Sequence, residues 1–318
     1  MLDSKALAGI PVTPANRAAP ALAFPWPGAY RAAMFLSFDV DAESAWTGKS
    51  PALAEGLVTM SYGGYEARVG TPKLLELLDH LGLEATFFIT GWTLDAHPAM
   101  CESILKAGHE IGHHGWIHEN PVTVPPARER WILEKGFQAL KDVAGVRPSG
   151  YRSPAWDNSP ESIPLLLEFG FEYESSQMAT DFEPYWCRVG DSFTLDDPYT
   201  FGKPVNLVEL PVAWHLDDFP QFEYVVSKGG IIQGVQTPRT LLQIWKDEFD
   251  YLYDRIGTGL FSVTMHPQVI GRAHRLLTLE GIIEHVKDKP GVKFTTMIDY
   301  CRKWKEGKTP SLSPEIGQ

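Results

Sequence analysis

The sequence predicts an α/β fold: a distorted (β/α) barrel of seven or eight strands forming a single domain. Three observations lead there. Short apolar bursts alternate with amphipathic stretches along most of the 318 residues. No linker or internal repeat interrupts the alternation, as expected for parallel βα units in one domain. Polar residues gather where the bursts run out: Asp39 and Asp41, His114, Arg152, Glu209 and His266. A doubly wound sheet would also place its crevice at the carboxyl ends of its strands. The barrel is preferred because so many different strands end in polar residues, and in a barrel those ends converge on one mouth.

The segments AAMFLSFDVD, EATFFIT, GYRSP, FEYESS, NLVELPVAW, GLFSVTMHP and VKFTTM are read as short buried strands. Between them, TPKLLELLDHLG, PAMCESILKAG, ARERWILEKGFQALKDV, SPESIPLLLEFG, TPRTLLQIWKDEFDYLYDRIG and LLTLEGIIEHVKD carry apolar residues at three-to-four spacing and are read as helices. Thr71-Pro72 opens one helix and Gly82 closes it; Ser159-Pro160 opens another and Gly170 closes it. Residues 1–30, rich in Pro and Ala, are read as an extended arm, 31–306 as the barrel and 307–318 as a tail.

Composition excludes several classes. With 44% hydrophobic and 21% charged residues the chain is neither disordered nor collagen-like. Its 28 basic against 40 acidic residues give a net charge of −12, which argues against nucleic acid or an anionic membrane as partner. No apolar run is long enough to span a bilayer. The N-terminus lacks the basic start and apolar core of a secretory signal. Cys101, Cys187 and Cys301 are far apart and form no CxxC pair, so reduced thiols and a cytoplasmic location are expected.

Four motifs carry the chemistry. In Phe38-Asp39-Val40-Asp41, two carboxylates two residues apart project to the same face of a strand end. Repulsion and desolvation raise the cost of ionising both, a conflict relieved if one binds a metal and the other carries a catalytic proton. The stretch from Gly108 to His118 holds two overlapping metal-ligand spacings. His109-Glu110-Ile111-Gly112-His113 fits the HExxH pattern of zinc proteases, and His114 and His118 form a second pair four apart. The protease alternative needs a continuous helix, which Gly108, Gly112 and Gly115 disfavour. On a strand, His109 and His113 would lie about 13 Å apart and could not share one ion. In Gly150-Tyr151-Arg152-Ser153-Pro154-Ala155-Trp156, an Arg at a strand end can orient one of the acids and lower its pKa. Met265-His266-Pro267 places an imidazole at the end of a further apolar strand.

Taken in order, FDVD, HGWIH, RSPAW and MHP resemble the polysaccharide deacetylase (NodB-homology) family over about residues 31–306. FDVD and the HENP from His118 to Pro121 look like its peptidoglycan-deacetylase-like branch, which includes allantoinase-type intracellular hydrolases of cyclic amides. The resemblance implies that Asp41, His114 and His118 bind one divalent metal ion, zinc or another. It implies that Asp39 is the general base and His266 the general acid, with Arg152 holding Asp39. Trp156 would line the pocket, and the Ala155 N–H would lie near the oxyanion. An acid supporting His266 is also implied, with Asp217 and Asp218 as candidates. The reaction expected is hydrolysis of a non-peptide amide, releasing acetyl from N-acetylated carbohydrate. The alternatives are ring opening of a small cyclic amide, the zinc protease, or a metal-binding protein without turnover. Related intracellular members suggest a homo-oligomer.

Overall fold

The strand Ala32–Val40 is the stave around which the fold is built. All nine of its residues are buried, as expected of a parallel strand covered on both faces. The computed structural model describes residues 30–227, 230–234 and 236–311, so the predicted arm before Tyr30 and the end of the tail lie outside the described residues.

Among the described residues the strands are β1 (Ala32–Val40), β2 (Thr86–Ile89), β3 (Glu110–His113), β4 (Gly150–Tyr151), β5 (Tyr173–Glu174), β6 (Tyr185–Val189), β7 (Lys203–Glu209), β8 (Tyr224–Ser227), β9 (Gly230–Gln233), β10 (Gly259–Met265) and β11 (Val292–Phe294). They follow the order β10-β1-β2-β3-β4-β5-β7-β6, parallel except for β6 against β7, while β11 pairs with the start of β1. β8 and β9 form a separate antiparallel hairpin. The curled sheet with its surrounding helices is the distorted (β/α) barrel expected from the sequence. Among the described residues it does not close strand to strand. The segment after β7 returns instead to β10, where Asp217 bridges Thr264 and the Asp218 N–H donates to the Thr264 carbonyl at 3.1 Å.

Alternation along β1 sorts its side chains between two layers. Met34, Leu36, Phe38 and Val40 face outward, into a core shared with Leu74 and Leu78 of the helix Thr71–Leu81 and with Trp245 and Phe249 of the helix Pro238–Tyr251. Ala33 and Phe35 face the barrel interior with Phe88, Tyr173, Met297 and Tyr300. Gly150 makes room for that interior plug, since a Cβ there would stand 2.0 Å from Cζ of Tyr173. The inward row of β1 then continues as Ser37, Asp39 and Asp41. Apolar plug below and polar mouth above are thus one face of one strand.

Caps mark only some helix boundaries: the helix expected to open at Thr71-Pro72 is entered from the π-turn Glu66–Gly70 in helical backbone, and Thr71 does not cap it. Gly82 adopts φ +62° and ends the helix Thr71–Leu81, and the Thr237 hydroxyl accepts from Thr240 N–H at the start of Pro238–Tyr251. The helix expected to open at Ser159-Pro160 begins at Ser162. Both serines donate their hydroxyls to Glu129, at 2.5 and 2.6 Å, and Ser159 Oγ still accepts the Glu161 N–H at 3.0 Å ahead of the helix.

The zinc-protease alternative is overturned. Glu110–His113 is a strand, and the preceding helix ends at Lys106 before Gly108 at φ +84°. His109 packs against the ring of Phe87, with centroids 5.2 Å apart. His113 points away from the barrel interior with both nitrogens engaged: Nε2 donates to Leu133 O at 3.2 Å and Nδ1 accepts from Gly115 N–H at 3.0 Å. Burial pushes its pKa down to about 3 and keeps the ring neutral. It is a structural histidine, and one residue further on the alternation turns His114 inward.

Candidate active site

The two aspartates of β1 meet different partners. Asp39 Oδ1 accepts from Arg152 Nη1 at 2.9 Å, and Oδ2 accepts from Trp156 Nε1 at 3.4 Å. Arg152 is fully buried and its fork is spent on orientation: Nη1 also donates to the Ser37 hydroxyl, Nε to Ser175 O and Nη2 to the Ser175 hydroxyl, each at 2.9 Å. Burial alone would push the Asp39 carboxyl up. The charge of Arg152, with that of His266 and the Arg152 hydrogen bond, outweighs it and holds the group below its ordinary value.

Asp41 faces two imidazoles. Its Oδ1 lies 3.4 Å from Nε2 of His114 and its Oδ2 3.6 Å from Nε2 of His118. The backbone is fixed at this point. Its carbonyl accepts from the Ser44 and Thr93 hydroxyls at 2.7 and 2.6 Å, and the next N–H, that of Ala42, donates to Glu66 at 2.8 Å. His114 leaves the end of β3, and its Nδ1 donates to Arg152 O at 2.7 Å, which turns Nε2 toward Asp41. His118 sits at φ +61° on the loop that follows. That loop is pinned by backbone bonds from Gly91 to Gly115 and from Trp92 to Trp116.

Whether these residues suit a metal can be tested on their own atoms. Asp41 Oδ1 and His114 Nε2 are buried without a hydrogen-bond partner, an expensive arrangement unless something else binds them. Four ligands at about 2.0–2.1 Å in a tetrahedron stand about 3.3 Å apart, close to the separations seen here. Burial pushes the His114 pKa down, and burial with the charge of Lys49 pushes His118 down to about 3. Both imidazoles are therefore neutral, as ligands must be. The three donors fit a divalent ion. Asp217, Asp218 and His266 bring their atoms comparably close, but there Nδ1 of His266 already donates to Asp218 at 2.8 Å.

That bond answers the question the sequence left open. Asp218 is the acid that supports His266, and its carboxylate also accepts the His266 backbone N–H at 3.1 Å. Asp217 lies 3.5 Å from the same ring nitrogen. Burial would lower the imidazole pKa; the two carboxylates overcome it and hold the ring well above its usual value. The eight residues to which the resemblance gives metal, proton-transfer, orienting or substrate roles line one cavity of about 150 Å³ or, in the case of Arg152, hold a residue that does. Ala155 and Trp156 have φ +58° and +49°, a strained turn of the kind that collects at functional sites. Trp156 stacks on Trp214 at 4.6 Å. Trp214, Phe219 and Lys49 complete the wall and carry no motif that would single them out in the sequence.

A (β/α) barrel whose mouth gathers a candidate metal triad, an Arg-held carboxylate and an acid-held imidazole has the architecture of a hydrolase. Comparison with known proteins supplies the family. A sequence model described as polysaccharide deacetylase matches residues 58–173. The chain is 37% identical to a peptidoglycan deacetylase of Helicobacter pylori, covering 81% of this chain and 91% of that one. It is 30% identical to a peptidoglycan deacetylase-like protein of Gibberella zeae, covering 86% of each. A Mycobacterium smegmatis crystal structure assigned to the polysaccharide deacetylases superposes with a TM-score of 0.78 at 37% identity, covering 91% of this chain and 96% of that one. An allantoinase structure shares the fold, with a TM-score of 0.73 at 24% identity over 91% and 95% of the two chains. The chain belongs to the polysaccharide deacetylase family.

Proposed function

We propose that this chain is a metal-dependent hydrolase of non-peptide C–N amide bonds that removes acetyl from N-acetylated carbohydrate. The observation that carries the proposal is the buried pair of unpartnered atoms, Asp41 Oδ1 and His114 Nε2, with His118 beside them. In this reading Asp41, His114 and His118 would hold one divalent ion, with zinc the first to test. Bound there, such an ion polarises an amide carbonyl and acidifies a water.

The chain's own residues supply the proton transfers. Asp39, held ionised by Arg152, takes a proton from the attacking water. His266, kept protonated by Asp217 and Asp218, gives a proton to the departing nitrogen, which leaves poorly as an anion. The Ala155 N–H is assigned to the developing oxyanion, and Trp156 to the wall that seats the substrate. Incubation with N-acetylated oligosaccharides should release acetate, a chelator should stop the release and zinc should restore it. Absence of release from every such substrate would overturn the proposal. Wild type and Asp39→Asn behaving alike across a broad amide panel, with neither turning over, would assign the fold to metal binding without catalysis.

A second reading, ring opening of a small cyclic amide, is favoured by the size of the cavity. About 150 Å³ is below the 300–1,000 Å³ of pockets that enclose larger ligands and suits a single small ring. Ring opening of hydantoin-like compounds without acetate release would select it.

A further inference from the structure

The cavity wall carries a cation that the proton transfers above leave without a task. Asp39 is paired with Arg152, Asp218 with His266, and Asp41 faces two imidazoles. The Lys49 ammonium lines the same cavity and makes no hydrogen bond or ion pair among the described residues. Its Nζ lies 4.7 Å from the ring centroid of Phe219 and 5.2 Å from that of Trp46. Aromatic faces attract a cation and seat its stem without using its N–H donors. The position is fixed by the preceding residue. A Cβ on Gly48 would stand 1.8 Å from Ile117 O and 2.9 Å from His118 O. Lys49 therefore leaves the chain one residue beyond a backbone-to-backbone contact with the loop that carries His118.

We infer that Lys49 selects substrates bearing a carboxylate beside the scissile amide, pairing with it at the mouth of the cavity. The inference rests on the amide-hydrolase reading and adds the substrate's charge to it. An ammonium with three free donors is a compact point charge for an anion. On a chain of net charge −12 an anionic substrate needs such a local attractor. A neutral substrate leaves the ammonium to water, so the gain appears only for the charged member of a pair and sets specificity. One charge-assisted hydrogen bond corresponds to roughly ten- to hundredfold in affinity.

Matched substrates test this on the zinc-loaded full chain: N-acetylmuramic acid against N-acetylglucosamine, and hydantoin-5-acetic acid against its amide. The carboxylate member should be preferred by about tenfold or more in kcat/KM, mostly through KM. Lys49→Gln should reduce that preference to about twofold or less, and Lys49→Arg should retain most of it. Equal hydrolysis of both members by the wild type, or a preference that survives in Lys49→Gln, would overturn the inference and leave the hydrolase reading standing. Hydrolysis of no member of either pair would overturn the hydrolase reading, and this inference with it.

Discussion

Nδ1 of His266 donates to Oδ1 of Asp218 across 2.8 Å, and both oxygens of that carboxylate lie 3.1 Å from the backbone nitrogen of His266. One buried carboxylate thus fixes the ring's orientation, its tautomer and its charge. The partners meet because the segment after β7 crosses to β10 and fills the place of a closing strand.

The pH profile should report this pair. The carboxylates hold the imidazole pKa well above its usual value, so His266 keeps its proton into the alkaline range. Removing one of them lowers that pKa, and the proton is lost at lower pH. For Asp218→Asn we expect the alkaline limb of kcat/KM to move to lower pH, with a loss of about ten- to hundredfold at the optimum. A uniform loss with the limb unmoved would mean that Asp218 acts on geometry alone.

Arg152 and Asp39 form an ion pair in which both side chains are at most 1% exposed. Deleting one partner of such a pair strands the other charge and costs about 3–5 kcal/mol. Arg152→Met should lose stability of that order in urea unfolding. Arg152→Lys should recover only part of it, because an ammonium cannot reproduce the fork that also reaches Ser37 and Ser175. Both variants should lose activity, Arg152→Met the more, since it removes the charge that holds Asp39 ionised whereas Arg152→Lys removes only the fork that orients it.

Metal binding should depend on His114 and His118 and be indifferent to His109. The wild type should retain one zinc per chain through dialysis, and the His114→Ala, His118→Ala double variant should retain none. His109→Ala should bind as the wild type does, since its ring packs on Phe87 away from the triad. Zinc at 100 times its Kd should stabilise the wild type by about 2.7 kcal/mol and leave the double variant unchanged. Zinc kept by the double variant would point to a different ligand set.

Much of this arrangement is legible in the sequence because local rules carry it. Apolar bursts ending in polar residues mark β1, β10 and the mouth. Gly108 marks the end of a helix, which separates His114 from His109 and decides between the two histidine pairs. The antiparallel edge strand β6, the hairpin β8–β9 and the helix Met297–Lys305 that plugs the barrel give no comparable signal. Asp218 can be named as a candidate but not chosen over Asp217, because the choice depends on the crossing to β10. Glu66 escapes sequence reasoning altogether. It lies on a helical turn well along the chain from β1, and its carboxylate joins Ala42 N–H to Gln268 N–H at 2.8 and 3.3 Å. Two loops of the site are thereby tied by a contact that no spacing announces.

Gly48 offers a test of how the Lys49 loop supports the triad. Its φ of −67° suits any residue, so a side chain there is excluded by space alone. The excluding atoms are backbone: a Cβ would stand 1.8 Å from Ile117 O and 2.9 Å from His118 O, and neither oxygen can rotate away. Gly48→Ala must push the two loops apart. The cost of such overpacking is about 1–3 kcal/mol, and the displaced residue is a proposed ligand. Stability and zinc affinity should therefore fall together. Gly82→Ala is the control. That glycine has φ +62° with nothing within 4 Å, so alanine meets only backbone strain, about 1 kcal/mol. Gly82→Ala should lower the melting temperature while leaving zinc affinity at the wild-type value. Equal zinc affinity in Gly48→Ala would mean that His118 is positioned independently of the loop that bears Lys49.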